Sequence, residues 1–138
     1  MAGRVLAVDP GEKRIGLAIS DPTGTIANPL MVIRHVSRTL DAAQIALAAA
    51  EQQARLIVVG QALDQEGLPG ARARSALRLA DAIRLQTEIP VELWDESGST
   101  QEARAARFSM GVNRRKRSGH LDELAATVIL QSYLDAHA

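Results

Sequence analysis

The sequence predicts an α/β layer sandwich on a five-stranded mixed sheet, three antiparallel strands followed by two parallel ones, flanked by helices. Three observations carry this. The chain opens with three short apolar runs separated by turn signals. A nearly wholly apolar run, RLIVVG at 55–60, has the composition of a central strand covered on both faces. From there helix-forming stretches alternate with strand-like ones, the pattern that produces parallel, right-handed crossovers.

Taken in order, residues 4–9 and 14–20 read as two strands joined at Pro10-Gly11, and DPTGT at 21–25 turns the chain into a third strand at 26–33. The Ala- and Gln-rich stretch 38–53 is a helix on propensity. After the strand at 55–60 and a Gly-punctuated loop at 61–70, residues 71–87 form a helix that closes before Pro90. VELWDE at 91–96 is the fifth strand. Ser99 or Thr100 followed by Glu102 marks a helix start, and that helix ends near Gly111. A basic loop, NRRKRSG at 113–119, leads into a last helix at about 120–136.

Composition narrows the function classes. A chain of 138 residues is long enough for one substantial core, so a single domain over 1–138 is expected. Only Trp94, Phe108 and Tyr133 are aromatic, so the core must be aliphatic, and base stacking cannot dominate recognition. The absence of cysteine excludes disulfides and thiolate metal sites and suits a cytoplasmic protein. Charge interrupts every apolar run, which gives no signal peptide or membrane span. Sixteen basic and sixteen acidic residues cancel; this argues against a general nucleic-acid coat but leaves room for a local basic patch.

The first strand ends in a carboxylate, Asp9, and the fifth ends in Asp95-Glu96. In a parallel arrangement those ends share one edge of the sheet, where functional groups of α/β proteins gather. The last helix offers a third acid. Glu123, Thr127, Gln131 and Asp135 recur every four residues as a polar stripe expected to face water. Asp122 lies on a different line, followed by Ala125, Ala126, Ile129 and Tyr133, so it is expected to point toward the protein. Each acid also has a plain structural role open to it: Asp9 can cap a Pro-Gly turn, Asp122 can complement a helix N-terminus, and Glu96 can be an exposed strand end. Asp95 reads as exposed.

Converging carboxylates repel unless one is protonated or a cation is bound. Oxygen donors without cysteine suit Mg²⁺ or Mn²⁺. Zn²⁺ fits less well, because His35, His120 and His137 have no paired spacing. His120, two residues before Asp122, is the histidine nearest the candidate acids in sequence.

AVDPGEKRIGLAISDPTG, LIVVGQAL, WDESGSTQEAR and RRKRSGHLDELAATVILQSYL, in that order and over nearly the whole chain, resemble the YqgF/RuvX family. Its members are RNase H-like proteins assigned to Holliday junction resolution or to pre-16S rRNA processing. The resemblance implies an RNase H-like sandwich and a metal-dependent phosphodiesterase acting on structured nucleic acid. It places the catalytic and metal-binding acids at Asp9, Glu96 and Asp122, with one or two Mg²⁺ or Mn²⁺ ions, and a phosphate hairpin at Gly11, Lys13, Arg14 and Gly16. Affinity for the polyanion is expected from Lys13, Arg14 and the run Arg114, Arg115, Lys116 and Arg117, with a weak role for Arg72, Arg74 and Arg78. The expected partner is an rRNA precursor or branched or single-stranded DNA, met by a monomer or a homodimer. Three positions depart from the family pattern: Ser97 stands where Arg is common, and the middle loop has Ala62 for Pro and Glu66 for Asp.

Two other functions fit parts of the pattern. An Asp-x-Gly hairpin in an RNase H-like half also occurs in phosphotransferases that cradle nucleotides, but this chain supplies one half only and has no Walker-type loop. A non-catalytic RNA-binding assembly factor would accommodate Ser97, although all three acids are present.

Overall fold

The computed structural model describes residues 3–61, 70–95 and 118–138, and their side chains except at 118–123. The expected helix at 99–111 and the basic run at 114–117 lie outside them, as do Glu96 and the three departures Ala62, Glu66 and Ser97. Among the described residues five strands, β1 (Arg4–Asp9), β2 (Arg14–Ser20), β3 (Ala27–Arg34), β4 (Ala54–Gln61) and β5 (Val91–Asp95), form one sheet in the order β3-β2-β1-β4-β5. β1 pairs antiparallel with β2, and β2 with β3; β4 runs parallel to β1, and β5 parallel to β4. The three-plus-two arrangement is the one read from the sequence.

Among the described residues three helices cover the sheet: α1 (Arg38–Glu51), α2 (Ala71–Arg84) and α3 (Ser118–Ala136). Strand alternation sorts the core into two layers. Leu6 and Val8 of β1, with Ile57 and Val59 of β4, pack beneath α1 and α2 through Ile45, Leu79 and Ile83. Val5 and Ala7, with Leu56 and Val58, point the other way and meet Ala126, Ile129 and Leu130 of α3. β1 and β4 are therefore apolar on both sides, as central strands must be. The cross-strand pair Ala7–Ala18 lies on the α3 side against Ala126, and small residues there let the helix approach the sheet closely. Each fully buried Leu or Ile contributes about 1.5–3 kcal/mol.

Local chemistry sets the element ends. Ser37 caps α1, its hydroxyl accepting from the Leu40 amide at 3.2 Å. The helix stops at Glu51, two residues short of the expected end, because Gln53 takes a left-handed backbone with φ of 56°. Glutamine rarely adopts that conformation, so composition did not mark the stop. α2 ends at Arg84 rather than 87; the Arg84 guanidinium turns back to the Val91 carbonyl at 2.6 Å and Asp81 at 2.9 Å, joining helix to strand. Pro29 is tolerated because β3 is an edge strand.

The phase of α3 is as expected on its apolar side: Ala125, Ala126, Ile129 and Tyr133 are all buried. Its polar stripe is not simply solvated. Gln131 accepts from the Ala27 amide at 2.9 Å and donates to the Thr25 carbonyl at 3.0 Å, so it ties the helix to the entry of β3. Trp94 and Tyr133 meet edge to face with centroids 5.3 Å apart, and His137 stacks on Tyr133 at 4.0 Å. Burial, and then the neighbouring Glu92 carboxylate, push the Tyr133 phenol above its usual range. Among the described residues, no helix is long and apolar enough to cross a membrane.

Candidate nucleic-acid and metal site

Because β1, β4 and β5 are mutually parallel, their C-terminal ends share one edge of the sheet. Asp9 lies there on β1, half-buried and opposite Gly16 of β2; Asp95 lies there on β5, exposed and in register with Gln61. The strand ends that carry Asp9 and Asp95 thus lie on one edge of the sheet, with β4 between them. Glu96 follows Asp95 in the chain but lies outside the described residues. Asp122 falls on the α3 backbone near its start, and its side chain is not described.

The turn after Asp9 is tight for a steric reason. A Cβ at Gly11 would sit 2.1 Å from the Arg14 carbonyl oxygen, far inside van der Waals contact. Gly11, Glu12, Lys13 and Arg14 are all exposed at the tip, so the hairpin presents two cations next to the strand that carries Asp9. The Lys13 carbonyl accepts from the His35 amide at 2.9 Å, which fastens the turn to the end of β3.

Two adjoining cavities open beside this turn and share Pro10, Gly11, Glu12 and Ser75. One, of about 400 Å³, reaches His35, Arg38 and Asp41; the other, of about 530 Å³, is flanked by Lys13 and Arg72. Arg72, given only a weak role on sequence grounds, thus lies across from the hairpin. Arg74 and Arg78 are exposed on α2 and line neither cavity. Asp41 is 2% exposed and accepts both from the Val36 amide, at 3.0 Å, and from His35 Nδ1. Nothing in the sequence marked this pair, because the contact spans the loop that enters α1.

The donor chemistry fits a hard divalent cation. No thiolate exists in the chain, and the two histidines whose side chains are described each commit Nδ1, His35 to Asp41 and His137 to the Tyr133 carbonyl. Carboxylates are thus the available ligand type at the β1–β5 edge. Among the described residues no three acidic or histidine groups cluster; of the three candidate acids, only Asp9 has a described side chain.

A family model described as RuvX, Holliday junction resolvase, matches residues 3–136. The chain belongs to the RuvX family. A relative from Anaeromyxobacter sp. (strain Fw109-5), named "Putative pre-16S rRNA nuclease", is 42% identical over 132 residues, covering 96% of each chain. Among solved structures, the chain is similar to Thermus thermophilus RuvC in complex with a Holliday junction substrate, with a TM-score of 0.63, 15% identity and coverage of 99% of this chain and 96% of that one. It is also similar to the fowlpox virus resolvase bound to Holliday junction DNA, at TM-score 0.58 and 12% identity, covering 97% and 98%. At such identities these likenesses speak to the fold, which is RNase H-like. The RuvX family match and the nuclease name of the relative mark the chain as a nuclease of the hydrolase class.

Proposed function

We propose that this RuvX-family nuclease hydrolyses phosphodiester bonds in precursor 16S rRNA, dependent on Mg²⁺ or Mn²⁺ held by Asp9, Glu96 and Asp122. The observation that carries the reading is the placement of Asp9, half-buried at the edge where β1 and β5 end together, directly before a hairpin that carries Lys13 and Arg14. The substrate class follows the name borne by relatives of about 35–42% identity. Branched DNA is a second reading, favoured by the family model's description.

Asp9, with Glu96 and Asp122, would hold one or two ions and offset their charge. A divalent ion bound there would lower the pKa of an attacking water and stabilise the leaving oxygen. Lys13 and Arg14 would hold a substrate phosphate against Asp9 by charge-assisted hydrogen bonds. Gly11 keeps the turn closed, so that these cations stay beside the carboxylate. Arg114, Arg115, Lys116 and Arg117 would add sequence-independent affinity ahead of α3. The domain would span 1–138 and act in the cytoplasm, as a monomer on rRNA or as a homodimer on a symmetric junction.

The test is cleavage of precursor 16S rRNA, a four-way DNA junction and single-stranded DNA with each ion, by the parent and by Asp9→Asn. Absence of metal-dependent cleavage of all three by the parent overturns the reading.

A further inference from the structure

We propose that the cleft between the β1–β2 turn and the N-terminal halves of α1 and α2 is a second phosphate subsite, in which His35, held by Asp41, contacts the nucleic-acid backbone away from the bond that is cut. The inference rests on reading the chain as a nucleic-acid hydrolase.

Asp41 carries the argument. Burying an ionised carboxylate costs several kcal/mol unless it is paired. This one, 2% exposed, is paired with a backbone amide and with His35 Nδ1. A brace for the start of α1 would need only the amide contact. The imidazole instead keeps its side chain 42% exposed and lines the cavity that begins at the turn. With Nδ1 committed to Asp41, Nε2 is the ring atom left for a ligand.

The surroundings select an anion. Arg38 of α1 lines the same cavity; Lys13 of the turn and Arg72 of α2 line the adjoining one. Glu12 is the opposing charge on the wall and is exposed at the turn tip. Counting Asp41 against an imidazolium at His35, three cations face one carboxylate. Ser37 and Ser75 add hydroxyl donors. The His35–Lys13 backbone bond fixes the cleft to the hairpin, so a strand lying on Lys13 would continue toward His35 and Arg38.

An imidazole that holds Asp41 through its Nδ1–H donates to phosphate through Nε2 only as an imidazolium. The charged groups of the two cavities besides His35 are Asp41 and Arg38 from α1, Glu12 and Lys13 from the turn, and Arg72 from α2. Contact with this subsite therefore needs the protonated ring and weakens as pH rises.

The experiment is histidine NMR of the full chain in EDTA, titrated with dT10 and with dT10 carrying an uncharged methylphosphonate backbone, with His35 assigned by His35→Gln. The expected result is that dT10 moves the His35 ring signals and raises its titration midpoint, while the uncharged strand does neither. His35→Gln should bind dT10 about 5–10-fold more weakly at pH 6 and lose the difference between pH 6 and pH 8; Arg38→Ala should weaken binding while keeping that difference. Signals that stay still, or that move equally with both strands, overturn the proposal, as does a His35→Gln variant that keeps the parent's affinity and pH dependence. Cleavage assays judge the nuclease reading separately. If the parent cleaves, His35→Gln should raise KM several-fold at unchanged kcat; if it does not, the nuclease reading fails while the metal-free titration still decides whether His35 meets phosphate.

Discussion

The α-carbon of Gly11 faces the carbonyl oxygen of Arg14 so closely that a methyl group placed on it would lie 2.1 Å from that oxygen. Since Arg14 begins β2 and Asp9 ends β1, this approach sets how far the hairpin cations stand from the carboxylate. Gly11→Ala must open the turn. It should cost roughly 1–3 kcal/mol, as overpacking does, and it should raise KM by moving Lys13 and Arg14. Urea unfolding followed by the single tryptophan, Trp94, measures the first effect, and steady-state cleavage the second.

Ser20 is fully buried; its hydroxyl accepts from the Val5 amide at 2.8 Å and donates to the Asp21 carbonyl at 3.1 Å. Ser20→Ala leaves a buried backbone N–H without its acceptor, so a loss of about 1–3 kcal/mol is expected. The site lies at the far end of β1 from Asp9, so kcat should be unchanged below the melting temperature. Denaturant unfolding and initial rates on the same preparation separate the two.

Asp21 organises the β2–β3 turn, accepting from the amides of Thr23, Thr25 and Ile26 and from the Thr23 hydroxyl. These bonds, the Ile26 amide foremost, hold its carboxyl well below the usual carboxylate range. A group with a depressed folded pKa stabilises the fold above its unfolded value, and that contribution is lost as pH falls toward the folded one. Asp21→Asn should therefore melt lower than the parent at pH 7, and the gap should narrow as pH is lowered below about 4. Paired melting curves from pH 7 to pH 2 check this; a gap that is constant with pH would contradict it.

Replacing Arg114, Arg115, Lys116 and Arg117 together by Ala should weaken nucleic-acid binding and shallow its salt dependence, since each phosphate that is no longer neutralised takes about 0.7–0.9 off the log–log slope. The melting temperature should change little. Binding isotherms between 50 and 200 mM KCl give the slope, and a slope equal to the parent's would assign the run to solvated surface.

Much of this was legible in the sequence, for identifiable reasons. Short apolar runs and the Pro10-Gly11 and DPTGT turns marked β1 to β3, and the unbroken run of β4 declared a strand buried on both faces. The i, i+3, i+4 spacing of Ala125, Ala126, Ile129 and Tyr133 gave the buried side of α3. What was not legible depended on contacts between elements. Gln131 sits on a polar line yet is a hydrogen-bond bridge to β3, because its partners, Thr25 and Ala27, are distant in sequence. His35 and Asp41 are joined only by the shape of the loop between them. Arg72 has the surface periodicity of any helix arginine, and its relevance follows from the hairpin tip facing α2. At the candidate site, Asp9 was marked by its position at a strand end, whereas its proposed partners Glu96 and Asp122 rest on spacing and family resemblance.

The central claim is that Asp9 serves a metal-dependent hydrolytic site rather than the turn alone, and Asp9→Asn tests it most directly. With precursor 16S rRNA and Mn²⁺, the account predicts a fall in kcat of at least about 100-fold, near 2.7 kcal/mol of barrier, with a melting temperature close to the parent's. A folded Asp9→Asn protein that cuts at the parent's rate would contradict it.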